Sequence, residues 1–240
     1  MKKNSRLLFD GISGFFFPPR CAVCDGVLLP GTRICESCGG NVKRVAGPVC
    51  MRCGKPLSDV RTEYCGDCRR KKHSYLQGKA VFVYEGEIRQ SMYRFKYGNR
   101  PEYAAFYAEE AAGMYGDWVR RRQIGVIVPV PMYRVRERRR GYNQAAVFAR
   151  RLGEELGLPV EEPVTRIRNT VPQKTLDDIG RKHNLKNAFH LGADIVKYKK
   201  VLLVDDIYTT GSTMDAVAQV LLSAGVKDIY YICISIGTGF

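Results

Sequence analysis

The sequence lacks several features that would place it at once in a large class of proteins. Among its 240 residues, no stretch approaches the 18 or more apolar residues of a membrane-spanning helix. No glycine-lysine pair is followed by serine or threonine, so the phosphate-binding loop of P-loop enzymes is missing. Apart from a doubled cysteine pattern there is no internal repeat, and there is no low-complexity segment. The sequence therefore predicts no transmembrane segment, no P-loop and no solenoid.

Acidic residues are scarce relative to basic ones. The chain has 24 Asp and Glu against 39 Lys and Arg, which gives a formal net charge of +15. Such an excess favours polyanionic partners, namely nucleic acid, pyrophosphate or an anionic membrane surface, without choosing among them. A hydrophobic content of 45% is sufficient for one full α/β domain and a smaller module.

The first twenty residues resemble a targeting segment only superficially. Basic residues precede the apolar run Leu7–Phe17, but Asp10 and Ser13 interrupt that run, and Pro18 and Pro19 follow it without a small-residue cleavage site. This pattern predicts a short helix or apolar arm, with weak binding to a membrane surface as the alternative. We expect a cytoplasmic protein, or one at the inner face of the membrane.

Composition changes near residue 75 and divides the chain into two expected units, residues 1–75 and residues 76–240. The first holds eight of the nine cysteines, and the second shows regular hydrophobic periodicity. Strands are predicted over residues 78–84, 125–131, 163–167, 201–204 and 228–236, and helices over residues 88–97, 102–121, 143–156 and 211–224. Strands that alternate with helices indicate an α/β fold with a doubly wound parallel sheet. The ninth cysteine, Cys233, lies inside the last strand and is expected to be buried.

Eight cysteines form four Cys-x-x-Cys pairs separated by ten, eleven and eleven residues. Two residues between thiolates allow both sulfurs to bind one ion from a tight turn, and four thiolates complete a tetrahedral zinc site. Pairing of neighbours gives two zinc ribbons, because short gaps favour local closure over an interleaved arrangement. The predicted ligands are Cys21, Cys24, Cys35 and Cys38 for the first zinc, and Cys50, Cys53, Cys65 and Cys68 for the second.

Both predicted zinc ions are structural, because four thiolates leave no open coordination position for catalysis. A redox role for the cysteine pairs is disfavoured, since no thioredoxin-like strand and helix surround them. His73 follows the last pair closely and is expected to be a solvated loop residue rather than a spare ligand.

The segment Val201–Thr213 (VLLVDDIYTTGST) predicts a binding site for a phosphorylated sugar. An apolar strand is followed by two adjacent acids and then by a loop of small hydroxyl residues that opens a helix. Ligands of open α/β sheets bind at the carboxyl ends of the strands, and a helix N-terminus favours phosphate. Asp205 and Asp206 would accept hydrogen bonds from vicinal sugar hydroxyls or hold a hydrated Mg²⁺. The phosphate would contact Thr209, Thr210, Gly211, Ser212 and Thr213, here called the phosphate loop; a plain helix cap is the structural alternative.

An arginine-rich segment follows a predicted strand that ends in prolines. Val130 and Pro131 lead into the run MYRVRERRRGYNQ, which we expect to be a loop. Its arginines would offer guanidinium forks to the oxygens of a diphosphate. Together with the run Arg120–Arg122, they are also a candidate nucleic-acid patch, and a solvated basic face remains the simplest alternative.

These segments resemble a known family. The acid pair with Thr-Gly-x-Thr resembles the signature of the type I phosphoribosyltransferases. Pro-Val-Pro, the spaced arginines and Arg-Gly-Tyr-Asn-Gln at residues 140–144 are similar to the ComF/GntX family, in which Phe is usual in place of Tyr142. The double zinc ribbon fits the same family. A further segment resembles its flexible loop, through Arg166, Arg168, Gln173, Arg181 and Asn184.

The resemblance implies a type I phosphoribosyltransferase-like domain that binds 5-phosphoribosyl pyrophosphate with Mg²⁺. It maps diphosphate binding onto Val130, Pro131, Arg136, Arg138 and Arg140, although the arginine run is denser than is usual in the family. In some members it implies a link to DNA uptake in natural competence, hence to competence-machinery proteins as partners. The acceptor of the phosphoribose is not implied.

Two other functions stay open at this point. One is a non-catalytic competence factor that binds single-stranded DNA along basic loops and aromatic residues such as Tyr75 or Tyr97, with the sugar-phosphate site as a ligand sensor. The other is a regulator that senses the pyrophosphorylated ribose with an RNA partner.

Overall fold

A parallel four-stranded sheet is the framework on which the site is built. A computed structural model describes residues 18–168 and 188–237. The sheet contains β1 (Gln77–Val83), β2 (Val126–Pro129), β5 (Lys200–Tyr208) and β6 (Asp228–Ile236), in the order β1-β6-β5-β2 with every pairing parallel. A separate antiparallel pair joins β3 (Val164–Arg166) to β4 (Phe189–Leu191). The chain thus forms one edge strand first (β1), then the opposite edge strand (β2), and finally the two central strands (β5 and β6).

Helices cover both faces of this sheet. The long helices are α3 (Gly86–Tyr97), α4 (Tyr103–Arg122), α6 (Gln144–Leu156) and α7 (Ser212–Ser223), and the short ones are α1 (Glu36–Asn41), α2 (Gly66–Arg70) and α5 (Arg134–Arg140). Side chains of α3, α4 and α6 share one apolar core with Leu202 and Ile232. Those of α7 share a second core with Leu203 and Cys233. Successive residues of the central strands therefore alternate between the two cores, as the two-residue period of a strand requires.

The predicted strands and helices are confirmed with small shifts of their ends. The helical stripe of α4 is buried, including Tyr103, Phe106 and Ala111, and Cys233 is buried as expected. Helix α6 begins after Asn143, whose side chain accepts a hydrogen bond from the Ala145 N–H, and it ends at Gly157 with φ +66°. Asparagine is a favoured N-cap residue, and a left-handed glycine is a favoured end of a helix.

Two expectations about the site segments are wrong in detail. The acid pair lies inside strand β5 rather than after it, because pairing with β6 continues as far as Tyr208 opposite Ile236. The arginine-rich segment is helix α5 rather than a loop. Arginine is a good helix former, and Gly141 with φ +89° ends the helix by donating its N–H to the Glu137 carbonyl.

The two cysteine clusters, here called ribbon 1 (residues 21–38) and ribbon 2 (residues 50–68), pack on opposite faces of the sheet. Cys21 and Cys38 join the core of α3 and α4, whereas Cys53 and Cys65 join the core of α7. The segment between the ribbons runs beside the edge strand, with Val45 N–H donating to the Val81 carbonyl. The ribbons therefore cover part of the edge of the sheet as well as both of its faces.

Candidate functional site

The eight paired cysteines form two clusters, and each is grouped as nearest-neighbour pairing predicts. Within each cluster the four sulfurs lie within 4.8 Å of one another. The Sγ atoms of Cys21 and Cys35 are 3.9 Å apart, and those of Cys53 and Cys65 are 3.7 Å apart. Zinc–sulfur bonds of about 2.3 Å in a tetrahedron place sulfurs about 3.8 Å apart. Both clusters therefore fit a structural Zn²⁺.

The acid pair lies at the carboxyl end of β5 and points in two directions. Asp206 faces α3, where its Oδ2 atom lies 2.9 Å from Nζ of Lys96. Asp205 lies on the side of β3, and its Oδ1 atom accepts a hydrogen bond from the Asp206 N–H at 2.8 Å. The sequence did not single out Lys96, which comes from a helix far away in the chain.

The surroundings of Asp205 change the pKa of its carboxyl group. Burial raises the pKa of the Asp205 carboxyl to about 8, and the charge of Asp206 adds to this shift, whereas Lys96 and Arg166 oppose it. The raised pKa favours the protonated form of Asp205, and a cation bound at the pair would release that proton. The two carboxylates and the hydroxyls next to them are the hard oxygen ligands that Mg²⁺ prefers, so the residues present fit this ion.

Arg166 and Arg136 bring positive charge to the same end of the sheet. Burial, followed by repulsion from Arg136, lowers the pKa of Arg166, while Asp205 opposes that shift. The guanidinium of Arg166 also lies over the ring of Phe189, with 5.5 Å to the ring centre. The structure therefore places one predicted flexible-loop arginine and one predicted diphosphate arginine in a single electrostatic environment with the acid pair.

The other predicted diphosphate residues lie in different surroundings. Arg138 is exposed on α5, and Arg140 donates to the Tyr97 hydroxyl at 3.0 Å and to Oε1 of Gln144 at 2.9 Å. Val130 is buried, with its N–H donated to the Val204 carbonyl and its own carbonyl accepting from Asn143. Pro131 has no N–H. Val130 and Pro131 would thus shape the pocket without donating hydrogen bonds to an anion.

The Arg-Gly-Tyr-Asn-Gln motif links three helices behind the arginines. The Tyr142 hydroxyl donates to the Phe95 carbonyl at the end of α3, and Gln144 donates to the same carbonyl at 3.5 Å. Asn143 caps α6 and also donates to Val130 at 3.1 Å. The motif therefore fixes the position of α5 relative to α3 and β2, a structural role that the sequence pattern alone did not reveal.

The phosphate loop connects β5 to the N-terminus of α7. Gly211 adopts φ +77°, and a Cβ atom there would lie 2.6 Å from the Tyr208 hydroxyl, so both conformation and space require glycine. Thr210 and Ser212 share a hydrogen bond of 3.1 Å between their hydroxyls. Because glycine offers no side-chain cap, the first turn of α7 presents N–H groups that the helix itself does not use. This arrangement suits a phosphate group.

Some sequence-based predictions lie elsewhere. Arg168 is exposed next to β3, and Gln173, Arg181 and Asn184 lie outside the described residues. His73 is not a solvated loop residue: its side chain has no exposed surface, and Nδ1 lies 2.9 Å from Oδ2 of Asp215. Tyr75 is 1% exposed and is therefore not available to stack on a base, whereas Tyr97 is 56% exposed.

Aromatic residues and arginines form a surface strip beside the acid pair. Arg89, Tyr93 and Tyr97 recur at four-residue spacing on the exposed side of α3, and the guanidinium of Arg140 lies 4.8 Å from the ring centre of Tyr97. The rings of Tyr93 and Tyr97 are 5.0 Å apart. We call these four residues the aromatic strip. In the part of the chain that the structure describes, no helix is both long and apolar enough to cross a membrane.

Comparison with known proteins agrees with these observations. The double zinc ribbon domain matches residues 12–69, and the phosphoribosyl transferase domain matches residues 130–238. The chain is 33% identical to Competence protein F of Haemophilus influenzae over 89% of this chain and 95% of that protein. It is 27% identical to Competence protein ComFC of Bacillus subtilis, over 85% and 89% of the two chains. It is 32% identical to DNA utilization protein YhgH of Salmonella typhimurium, over 90% and 96%.

The fold class predicted from the sequence is thus confirmed. A parallel sheet of the type I phosphoribosyltransferase kind follows a cysteine-rich region with two four-cysteine clusters.

Proposed function

The chain belongs to the ComF family, and from this premise we propose that it binds Mg²⁺ and 5-phosphoribosyl pyrophosphate and transfers the phosphoribose to an acceptor during DNA uptake. One observation carries the proposal: the acid pair, two arginines and a glycine-opened phosphate loop lie at the carboxyl end of one parallel sheet. The names of relatives from three organisms, which refer to competence or DNA utilization, support the biological role.

Each part of the donor has a matching part of the site. The 5-phosphate would contact the phosphate loop, and the ribose hydroxyls would contact Asp205 and Asp206. The diphosphate would lie toward Pro131, with Arg136 of α5 and Arg166 of β3 beside the acid pair, and Arg138 would reach it from the exposed side of α5. Arg140 would act from the edge of this region, because Tyr97 and Gln144 already hold its guanidinium.

Transfer would break the bond between the sugar C1 atom and the diphosphate and form a bond from C1 to the acceptor. Positive charge that develops on the sugar would be stabilised by the acid pair, and negative charge on the leaving diphosphate by the arginines. Bound Mg²⁺ would supply further charge neutralisation on the diphosphate. Lys96 would hold Asp206 in place until the donor arrives, since the two side chains pair at 2.9 Å.

Release of diphosphate tests this proposal. Purified protein with Mg²⁺ and labelled donor is screened against candidate bases and nucleic acids. We expect release that depends on the acceptor and that disappears in the Asp205→Ala, Asp206→Ala double variant. Asp117→Ala is the matched control, because Asp117 is an exposed carboxylate on α4. Its neighbour Trp118 donates to Gln77 at the start of β1, at the amino end of the sheet, whereas the acid pair lies at the carboxyl end. Equal release from wild-type and double-variant protein would reject the assignment.

The aromatic strip favours a second function, the binding of single-stranded DNA by a competence factor that uses the donor site as a ligand sensor. Tyr93 and Tyr97 are 65% and 56% exposed, which suits stacking on unpaired bases. The exposed Arg89, Arg138 and Arg139 nearby would meet backbone phosphates.

Salt-dependent binding of an oligothymidylate tests the second function. Affinity should fall steeply with salt through several phosphate contacts. The Tyr93→Ala, Tyr97→Ala double variant should lose roughly 1–3 kcal/mol per stacked base, whereas Tyr64→Ala on ribbon 2 should bind as the wild type does. No binding at low salt, or unchanged binding by the double variant, would remove DNA from the proposed partners.

A further inference from the structure

Residues 71–75, which follow helix α2 at the end of ribbon 2, lie against the phosphate loop and the first turn of α7. We call this segment the clasp. Nζ of Lys71 lies 3.4 Å from the Thr210 carbonyl oxygen and 3.4 Å from Oδ2 of Asp215. Lys71 thus contacts the loop itself and the helix that follows it.

Asp215, in the first turn of α7, is contacted by three residues of the clasp. Besides Lys71, its carboxylate accepts the Ser74 N–H at 2.9 Å and lies 2.9 Å from Nδ1 of His73. A carboxylate oxygen accepts hydrogen bonds, so the donor in the contact with His73 would be the Nδ1–H group. The His73 side chain has no exposed surface, so this contact is shielded from water. Three donors from one short segment therefore fix a carboxylate in the first turn of α7.

A second connection joins ribbon 2 to the start of the loop. The hydroxyls of Tyr75 and Tyr208 are 2.7 Å apart, and the ring of Tyr208 stacks on Tyr231 with 5.1 Å between ring centres. Tyr231 in turn donates its hydroxyl to the carbonyl of Cys53, one of the cysteines of ribbon 2, at 2.7 Å. The Tyr208 hydroxyl also fills the space that a side chain at position 211 would need.

We infer that ribbon 2 is a positioning element of the sugar-phosphate site, which holds the phosphate loop and the first turn of α7 in their binding geometry through Asp215 and Tyr208. The inference rests on the proposed function for the identity of the ligand, but the contacts themselves do not. A phosphate site made of backbone N–H groups and hydroxyls depends on how those groups are aimed, because each donor is weak when misdirected. A rigid neighbour that removes loop motion before binding would raise affinity for the phosphate.

We expect a change at Asp215 to weaken binding at the phosphate loop but not binding of the diphosphate. Asp215→Asn keeps the size of the side chain but replaces an acceptor oxygen, so it breaks the contacts with Lys71 and His73. Affinity for ribose 5-phosphate, which has the phosphate without the diphosphate, should fall about tenfold, in line with the loss of about 1.4 kcal/mol. Affinity for inorganic diphosphate should stay unchanged, because the arginines proposed to bind it, Arg136 and Arg166, belong to α5 and β3 and not to the phosphate loop or α7.

Hydrogen exchange of the ligand-free full-length protein tests directly whether ribbon 2 holds the phosphate loop. Peptides covering residues 71–75 and 208–215 should exchange faster in Asp215→Asn and, to a lesser degree, in Lys71→Met. Peptides of β6 should not change. The control is Lys72→Met, since Lys72 is exposed and precedes His73 in the same segment. Zinc content should stay at the wild-type value in every variant, because no cysteine is altered.

The outcomes separate this inference from the proposed function. Unchanged exchange of the loop in both Asp215→Asn and Lys71→Met would overturn the inference, and so would an equal loss of affinity for ribose 5-phosphate and diphosphate. If the wild type bound neither ligand, the proposed function would fail, and the exchange data alone would decide whether ribbon 2 holds the loop. Faster loop exchange together with selective loss of ribose 5-phosphate would support both.

Discussion

Among single residues, Asp205 has the most direct consequence for pH. Its pKa of about 8 lies above the ordinary value because burial and Asp206 both disfavour its charged form. The folded protein therefore binds this proton more tightly than the unfolded chain. The stability that the proton confers is complete below about pH 4, and it is lost as pH rises through about 8.

We predict that the Asp205→Asn variant does not lose this stability as pH rises. The melting temperature of the ligand-free variant should exceed that of the wild type, by a difference that grows from pH 6 to pH 9 and reaches about 5 °C, which is about 2 kcal/mol for a chain of this length. Thermal melts at constant ionic strength measure it. Asp117→Asn, on an exposed part of α4, should follow the wild type at every pH. A constant difference between Asp205→Asn and wild type would contradict the raised pKa.

Residues were predictable from sequence where their role is local and hidden where it depends on packing. Asp205, Asp206 and Gly211 stand together in one strand–loop–helix pattern, so their proximity follows from the chain itself. Lys96 gave no such signal, because an isolated lysine in an amphipathic helix is usually solvated. His73 was misassigned for the related reason that its partner, Asp215, is distant in sequence.

At the scale of elements, α3 links ribbon 1 to the donor site. Ser91 and Arg94 on this helix donate to the carbonyls of Ala22 and Val23 in ribbon 1. Beyond the helix, Arg100 lies 2.9 Å from Oδ2 of Asp25. The last turn of α3 holds Lys96 against Asp206. Each ribbon therefore supports a different element of the site: ribbon 1 supports α3, and ribbon 2 supports the phosphate loop.

We predict that Asp25→Asn loosens α3 without loss of zinc. The variant weakens the charge-assisted contact with Arg100, which should cost about 1–3 kcal/mol of unfolding free energy. Hydrogen exchange over residues 86–97 should accelerate, and the affinity for the donor should fall several-fold. Asp59→Asn, whose carboxylate contacts only Arg61 within ribbon 2 among the described ion pairs, is the control. Unchanged exchange of α3 would show that the contact between Asp25 and Arg100 does not hold this helix.

The four strands of the parallel sheet were predicted because each contains an apolar run, whereas the three-residue strand β4 was not predicted. Helix α5 was missed because an arginine run has no apolar periodicity, although its helix propensity and the following Gly141 were visible. The antiparallel bridge between Arg44 and Phe82 of β1 was also hidden, since a single bridge leaves no pattern in sequence.

At the scale of the whole molecule, the ribbons and the sheet behave as one packed unit. Cys21 and Cys38 contribute to one core, and Cys53 and Cys65 to the other, so residues on both faces of the sheet depend on ribbon contacts. Residues 1–75 and 76–240 remain our proposed sequence units. Their shared cores indicate that the second does not retain its full stability without the first.

We predict that a fragment of residues 76–240 aggregates or melts without cooperativity, because it lacks Tyr75, whose ring packs against the buried ring of Tyr231 in the full chain. Removal of zinc from the full chain by a chelator should lower its melting temperature, because zinc binding is coupled to folding of the ribbons. Circular dichroism melts of both samples against the zinc-loaded chain measure these effects. A soluble fragment with a cooperative melt near that of the full chain would show that the sheet folds independently.

The central claim is that the carboxyl end of β5 binds the pyrophosphorylated ribose. Titration calorimetry of the zinc-loaded chain with 5-phosphoribosyl pyrophosphate and Mg²⁺ tests it most directly. We expect saturable binding to the wild type and to Asp117→Ala, and no detectable binding to the Asp205→Ala, Asp206→Ala double variant. An unchanged affinity in that double variant would contradict the account.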